Sequence, residues 1–449
     1  MTVNGYRPAA ARADEPRELA RLLLPRISER LAEHVRERQA AGLGALDAVE
    51  HQSAVERMVA EQLQVHARAE LSAGRAVPTP QEEARARQAV VDALLGTGVL
   101  ERLLADETVE NISVNGCDNV WLRHADRTKR RGPALAGSDD ELIELVRLLA
   151  ARTGAEERRF DRANPRLYLT LPDGSRLTAV MALCERVSLS IRRHRFPAAD
   201  LADLVRLRVC DEDLAGLLGA LVRGRFNLLI AGGTDMGKTT VLRALASAIP
   251  ATERLVTIED TFELGLDKHT DAHPDVVALQ AREANIEGAG AVDQAELVRW
   301  GLRMHPDRVI VGEIRGSEVV PMCNAMSQGN DGSMSTIHAS GSKQAFTKLA
   351  TYAAQAPERL SLEATNLMVA SAVHFVIHLG RDTDGVRCVT SIREVTDADG
   401  AQVVSNEVCM PGPDRRARPA VPLRNETTDK LLAAGLEPRV LERWWRRSV

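Results

Sequence analysis

A parallel α/β fold is predicted for the second half of this 449-residue chain, and three observations predict it. From Phe226 onward, apolar runs of strand length alternate with amphipathic helical stretches, the pattern of a parallel sheet covered by helices. The run Phe226-Asn227-Leu228-Leu229-Ile230-Ala231 leads straight into Gly232-Gly233-Thr234-Asp235-Met236-Gly237-Lys238-Thr239-Thr240 and a helical stretch to Ile249. Ahead of it, from Val109, short alternating segments mark a different, α+β texture. The predicted whole is α/β: a parallel α/β domain, preceded by a small α+β domain and an N-terminal helical bundle.

Residues 1–15 are polar and rich in Ala and Arg, and read as a disordered lead. Residues 16–105 read as helical. Leu19, Leu23, Ile27 and Leu31 recur at i+4, and Val55, Val59 and Leu63 form a second stripe. Ala76-Val77-Pro78-Thr79-Pro80 is a turn or linker, and Gln81 to Leu104 is helical apart from a break at Gly96-Thr97-Gly98. This region is either a small bundle or an appendage that docks a partner. Residues 106–197 read as the α+β domain, with strands near Glu110–Gly116, Asn119–Arg123, Arg166–Leu171, Arg176–Met181 and Val187–Arg193, and a helix near Asp139–Ala151. Residues 198–224 read as linker helices. The parallel α/β domain, 225–409, carries strands at 226–231, 255–259, 308–312, 333–337 and 373–379, with helices at 238–249, 293–304, 317–327, 343–354 and 359–371. Residues 410–449 read as a Pro/Arg-rich tail and one helix from about Thr428 to Arg447. Its Trp444-Trp445 pair, flanked by basic residues, could pack on its own domain or dock on a membrane surface.

Composition narrows the function. A 44% hydrophobic, 27% charged chain has ample core for a globular protein. A net charge of −5, without a basic–aromatic strand-binding stretch, argues against nucleic acid as a partner. The six cysteines are scattered, with no metal-type spacing, so no zinc is expected and the thiols read as reduced. No apolar run of about 18 residues occurs and Met1–Arg12 lacks a signal-like stretch, which together predict a cytoplasmic protein.

The segment Gly232 to Thr240 fits G-x-x-x-x-G-K-[ST] between a strand and a helix. Its glycines allow successive N–H groups to face one centre at a helix N-terminus, where an anion is favoured. Lys238 can neutralise β- and γ-phosphates and the Thr239 hydroxyl can ligate Mg²⁺, so ATP and Mg²⁺ are the expected ligands. Two further strands end in acids: Leu255-Val256-Thr257-Ile258-Glu259-Asp260-Thr261-Phe262-Glu263, and Arg308-Val309-Ile310-Val311-Gly312-Glu313-Ile314-Arg315. Carboxylates at strand tips beside a P-loop can hold metal waters or orient an attacking water. Asn330 to Ala339 places polar groups at both ends of a third strand, closing with His338.

These four segments together resemble the type II/IV secretion ATPase superfamily. Thr257-Ile258-Glu259-Asp260 is similar to its Asp box, Val311-Gly312-Glu313-Ile314-Arg315 to its Walker B and Gly332 to Ala339 to its His box. Asn285-Ile286-Glu287-Gly288, Leu302 to Arg308 and Leu171-Pro172-Asp173-Gly174-Ser175-Arg176 resemble the tight-adherence (Flp) pilus branch. The likeness spans roughly 100–396. It implies a RecA-like C-terminal domain, a PAS-like N-terminal domain, ATP held between them, and a homohexamer working with inner-membrane platform proteins at the inner face of the cell membrane. It also implies arginines of the PAS-like domain on the phosphates, for which Arg176 and Arg193 (or Arg192) are the candidates.

Roles follow from charge. Glu313 is the expected general base or water-orienting residue and Glu259 the acid on a Mg²⁺ water, with Glu263 behind it; both Glu259 and Glu313 would reach the metal through water. His338 is the expected γ-phosphate sensor. Arg303 and Arg315 either cross to a neighbouring subunit or pair with Asp307 or the Asp-box acids. Two positions depart from the family pattern. Relatives usually carry Gly-Ser or Asn-Ala where this chain has Asp235-Met236, and often Thr-Gly-His at Gln328-Gly329-Asn330. A carboxylate ~4–5 Å from a phosphate oxygen costs roughly 3–4 kcal/mol at an effective dielectric of ~20. Asp235 therefore faces the phosphates at a cost in affinity, turns to solvent, or pairs with an arginine. The expected function is a hexameric ATP-hydrolysing motor for pilus assembly or secretion. The alternatives are a nucleotide-gated scaffold without turnover and a DNA-transfer ATPase.

Overall fold

The structure, a computed structural model, describes residues 19–20, 22–27, 29–30, 33, 48–94, 99–152, 159–193, 198–282, 284 and 288–446. The expected disordered lead, the Gly96-Thr97-Gly98 break, the Phe196-Pro197 boundary and Asn285-Ile286-Glu287 lie outside the described residues, as do the side chains of Trp444 and Trp445. The chain divides into two units, Met1–Arg193 and His194–Val449.

In the first unit, α1 (Ala48–Ser72) and α2 (Pro80–Leu94) bury Val55, Val59, Leu63, Ala86 and Val90 in one cluster with Leu19, Leu23 and Ile27. Thr79 is more than a linker residue. Its hydroxyl accepts the Glu82 N–H at 3.3 Å while the Glu82 carboxylate accepts the Thr79 N–H at 2.7 Å, a capping box with Pro80 opening the helix. After α3 (Val99–Ala105) come β1 (Val109–Asn115), β2 (Val120–His124), β3 (Lys129–Arg131), α4 (Asp139–Arg152), β4 (Arg166–Thr170), β5 (Arg176–Val180) and β6 (Ser188–Arg192). The six strands form an antiparallel sheet ordered β3-β2-β1-β6-β5-β4. Alternation puts Ile112, Val114, Leu177, Ala179, Leu189 and Ile191 on one buried face, which packs with Leu142, Val146 and Leu149 of α4.

The second unit opens with α5 (Leu201–Arg206) and α6 (Glu212–Arg223), capped by Asp200 and Asp211. Both were expected in a linker, and that is corrected. Leu214, Leu217, Leu218 and Leu221 form one apolar stripe of α6 that shares a core with Leu228, Ile230 and Leu242. Then follow β7 (Leu228–Gly232), α7 (Lys238–Ala246), β8 (Leu255–Glu259), β9 (Val276–Gln280), α8 (Gln294–Gly301), β10 (Arg308–Ile314), α9 (Val319–Ser327), β11 (Met334–His338), α10 (Ser342–Gln355), α11 (Leu362–Ala372), β12 (Phe375–Arg381), β13 (Arg387–Ala398), β14 (Val403–Pro411), β15 (Ala417–Pro419), α12 (Asn425–Ala433) and α13 (Pro438–Arg446).

One sheet ordered β15-β14-β13-β12-β7-β11-β10-β8-β9 runs through this unit. It is parallel from β12 to β9 and antiparallel from β12 to β15. The fold is RecA-like: the strand before the glycine turn is central, fully buried, with parallel neighbours on both sides. Two further expectations are corrected. The Pro/Arg-rich tail continues the sheet as the end of β14 and as β15. The single terminal helix is two, parted at Gly435 (φ +83°) with Pro438 opening the second. The first of them is fixed by a fully buried carboxylate, since Glu394 accepts the Arg424 N–H at 3.1 Å and the Thr427 hydroxyl.

Candidate functional site

Register aligns the strand tips. His338 pairs with Gly232 across β11 and β7, Ile337 with Ile314 across β11 and β10, and Val311 with Ile258 across β10 and β8. The residues that follow these strands therefore converge at the carboxyl edge of the sheet, where α/β folds place ligands. Lys238, at the start of α7, donates to the Gly233 carbonyl at 3.1 Å, closing the glycine turn over Thr234 and Met236. Its Nζ stands 3.3 Å from His338 Nδ1 and 3.7 Å from Glu313 Oε1. His338 Nε2 lies 2.8 Å from the same carboxylate oxygen. The other oxygen accepts Arg315 Nε at 2.6 Å, and Arg315 also reaches Asp260 at 2.9 Å. Arg315 thus pairs with the Asp box, one of its two expected fates.

Glu259 and Glu263 divide their work differently from expectation. Glu259 is buried and its Oε1 accepts the N–H groups of Glu263 and Leu264, both at 2.9 Å. It shapes the loop. Glu263 is the acid that meets the P-loop, accepting the Thr239 hydroxyl at 3.0 Å. Gly312 also has a reason: a Cβ there would lie 3.1 Å from Glu259 Cγ. Arg243 of α7 locks the same loop by donating to the Leu264 carbonyl at 2.9 Å and to the Glu263 carbonyl. Burial lowers its pKa, while Glu263 and Glu259 oppose that shift.

Asp235 neither faces the phosphate side alone nor points to solvent. Its carboxylate pairs with Arg387 at 2.7 Å and Arg381 at 3.5 Å, the third of the three outcomes considered. Its backbone is left-handed at φ +63°, which costs a non-glycine residue about 1–2 kcal/mol; Asp is among the residues that tolerate it. Asn330, the second departure, donates to the Pro306 carbonyl at 2.6 Å. Its own carbonyl accepts the Ser333 hydroxyl at 2.6 Å, so it anchors the approach to β11.

In the first unit, Arg176 begins β5 after the Asp173-Gly174-Ser175 turn, where Ser175 donates to Asp173 at 2.7 Å, and it pairs in register with Arg192. Arg193 is committed elsewhere. Its guanidinium donates to the carbonyls of Asp106 and of Val109, pinning the entry to β1.

Residues 93–421 match the family described as type II/IV secretion system protein. The chain belongs to that family. A "Putative conjugal transfer protein" of Mycobacterium tuberculosis is 35% identical to this type II/IV secretion system protein over 324 residues, 68% of this chain and 86% of that one. VirB11 of Agrobacterium fabrum is 33% identical over 304 residues, 61% of this chain and 85% of its own. The crystal structure of the pilus retraction motor PilT with bound ADP superposes with a TM-score of 0.50 at 15% identity, covering 77% of this chain and 98% of that chain, and shares the fold. Sequence reading of this family member missed Arg381 and Arg387, because strands β13 to β15 were unread and nothing in the sequence tied them to the glycine turn. Glu263 was named but placed behind Glu259, because spacing alone does not rank two acids four residues apart.

Proposed function

We propose that this chain is an ATP-hydrolysing motor of a secretion or pilus machine, acting as a homohexamer at the inner face of the cell membrane. The observation that supports it most is the meeting of Lys238, Glu313 and His338 at aligned strand tips, with a phosphate counter-charge 3.7 Å from a half-buried carboxylate. Lys238 and the loop amides bind the phosphates of ATP. The Thr239 hydroxyl and the Glu263 carboxylate offer the hard oxygen donors that Mg²⁺ takes, with Glu259 holding the loop that presents Glu263. Bound there, the metal neutralises developing phosphate charge. Glu313 orients the attacking water and accepts its proton, and His338, 2.8 Å from Glu313 and 3.3 Å from Lys238, senses the γ-phosphate. Arg193 is spent on two carbonyls of its own unit and is not assigned to the phosphates.

A second reading is favoured by one observation. Glu313 already has a cationic neighbour at each oxygen, Lys238 at 3.7 Å and Arg315 at 2.6 Å, which suits a nucleotide-gated scaffold whose base is never released. DNA transfer as the process served is favoured by the name of the mycobacterial relative. Phosphate release with Mg²⁺-ATP decides between motor and scaffold. Lys238→Ala abolishes nucleotide binding, and Glu313→Gln keeps binding but stops turnover, since an amide retains shape and cannot accept the proton. A parental protein that binds ATP and releases no phosphate establishes the scaffold; a Lys238→Ala variant with parental turnover removes the nucleotide site from this loop.

A further inference from the structure

The β12–β13 turn, outside every motif used above, is built to present two arginines to the glycine turn. Asp382 fixes the turn by accepting the N–H groups of Asp384 at 3.0 Å and Val386 at 2.8 Å, and its other oxygen takes Arg416 at 2.9 Å. Arg381 donates to the Gly385 carbonyl at 2.8 Å from one nitrogen and stands 3.5 Å from Asp235 with another. Arg387 forks onto a single residue: its Nε donates to the Asp235 carbonyl at 2.9 Å and its terminal nitrogen to the Asp235 carboxylate at 2.7 Å. Its Cδ lies 3.8 Å from where a Cβ of Gly237 would stand. All three side chains are largely shielded, with 18%, 30% and 24% exposure for Arg381, Arg387 and Asp235. An ion pair so shielded, with a planar fork on carbonyl and carboxylate together, holds geometry as well as charge.

The geometry points to Arg387, supported by Arg381, as a positioning residue of the phosphate cradle: it holds Asp235 in its left-handed conformation and cancels a carboxylate that would otherwise repel the phosphates. This rests on the nucleotide-binding reading above. Asp235 and Arg387 are then one device. The arginine is required because the aspartate is there, and a glycine at 235, which adopts positive φ freely, removes the need for it.

The test titrates a fluorescent ATP analogue with Mg²⁺ into the parental protein, Arg387→Ala, Asp235→Gly and the double variant, at low and high salt, with thermal midpoints recorded beside. Arg387→Ala is expected to weaken binding at least about tenfold, with the loss shrinking as salt screens the uncovered carboxylate. The double variant is expected to bind within about threefold of Asp235→Gly alone, the dependence on Arg387 having vanished. If Arg387→Ala is too unstable to titrate, Arg387→Lys takes its place, with a smaller loss that Asp235→Gly again removes. Parental binding in the arginine variants, or a loss just as large in the Asp235→Gly background, overturns the proposal while leaving the nucleotide site standing. A parental protein that binds no analogue overturns both.

Discussion

Gly312 and Glu259 show how single residues divide structural from chemical work at this site. Glu259 gives one oxygen to two backbone amides, and Gly312 leaves it room. Gly312→Ala brings a Cβ within 3.1 Å of Glu259 Cγ, so the side chain must shift a few tenths of an ångström. The expected cost is about 1 kcal/mol, a fall of about 2–4 °C in the thermal midpoint of a unit this size, measurable by calorimetry. Glu259 and Glu263 separate in a second pair of variants. Glu259→Ala leaves two loop amides without their acceptor and is expected to cost about 1–3 kcal/mol of stability. Glu263→Ala is expected to leave the midpoint within about 0.5 kcal/mol and to lower ATP turnover through the Thr239 side of the site. Equal stability losses in the two would return the metal-side role to Glu259.

Between elements, buried polar residues hold strand ends in place. Asn227 donates to the carbonyls of Met326 and Ala372 at 2.8 and 2.7 Å, and accepts the N–H groups of Gly332 and Ser333. It ties the ends of α9 and α11 to the approach of β11. Its own N–H is taken by His374 Nδ1 at 2.9 Å, and the His374 ring stands edge-on to Phe226 at 5.8 Å. Burial holds the His374 pKa below the usual imidazole range, and does the same for His378 and His273. The native state therefore takes up protons later than the unfolded chain as pH falls. Stability is full above the unfolded value of about 6.5 and declines as pH drops below it toward the depressed native values. The thermal midpoint of the second unit is expected to fall between pH 7.5 and 5.5, and His374→Gln, which has no charge to gain, to flatten part of that slope from a lower starting point. A midpoint independent of pH over this window would contradict the burial of these rings as the cause.

At the scale of the whole molecule, a parallel sheet gathers its reactive groups at one edge, and a single P-loop domain leaves the γ-phosphate side open. Closing it in the proposed ring requires neighbouring copies, so ATP turnover per protein is expected to rise more steeply than linearly with concentration, with six-membered particles forming alongside nucleotide in analytical ultracentrifugation. A monomer with full specific activity would rule the ring out as a requirement. Among the described residues no helix is long and apolar enough to cross a membrane.

The sequence by itself determined the parallel core, the glycine turn and the order of its motifs. Those follow from local pattern: buried parallel strands are continuous apolar runs such as Leu228 to Ala231 and Val309 to Val311, and a phosphate turn has a fixed spacing of glycines and a lysine. Local pattern also showed the stripe of α6 but not where it packs, since a leucine stripe has the same spacing in a linker helix as in a core. The edge strand β9 escaped because Val276 to Gln280 is short and does not alternate, and strands β13 and β14 because their apolar pattern is diluted by Arg, Glu and Asp, some of which pair across the sheet. What only the tertiary structure decided is which charges meet. Asp235 and Arg387 are separated by 152 positions, and Glu259 and Glu263 stand four apart with the same chemistry. Sequence spacing carries no information on whether a side chain turns to a backbone amide, a hydroxyl or a distant guanidinium; the register of strands from remote parts of the chain does.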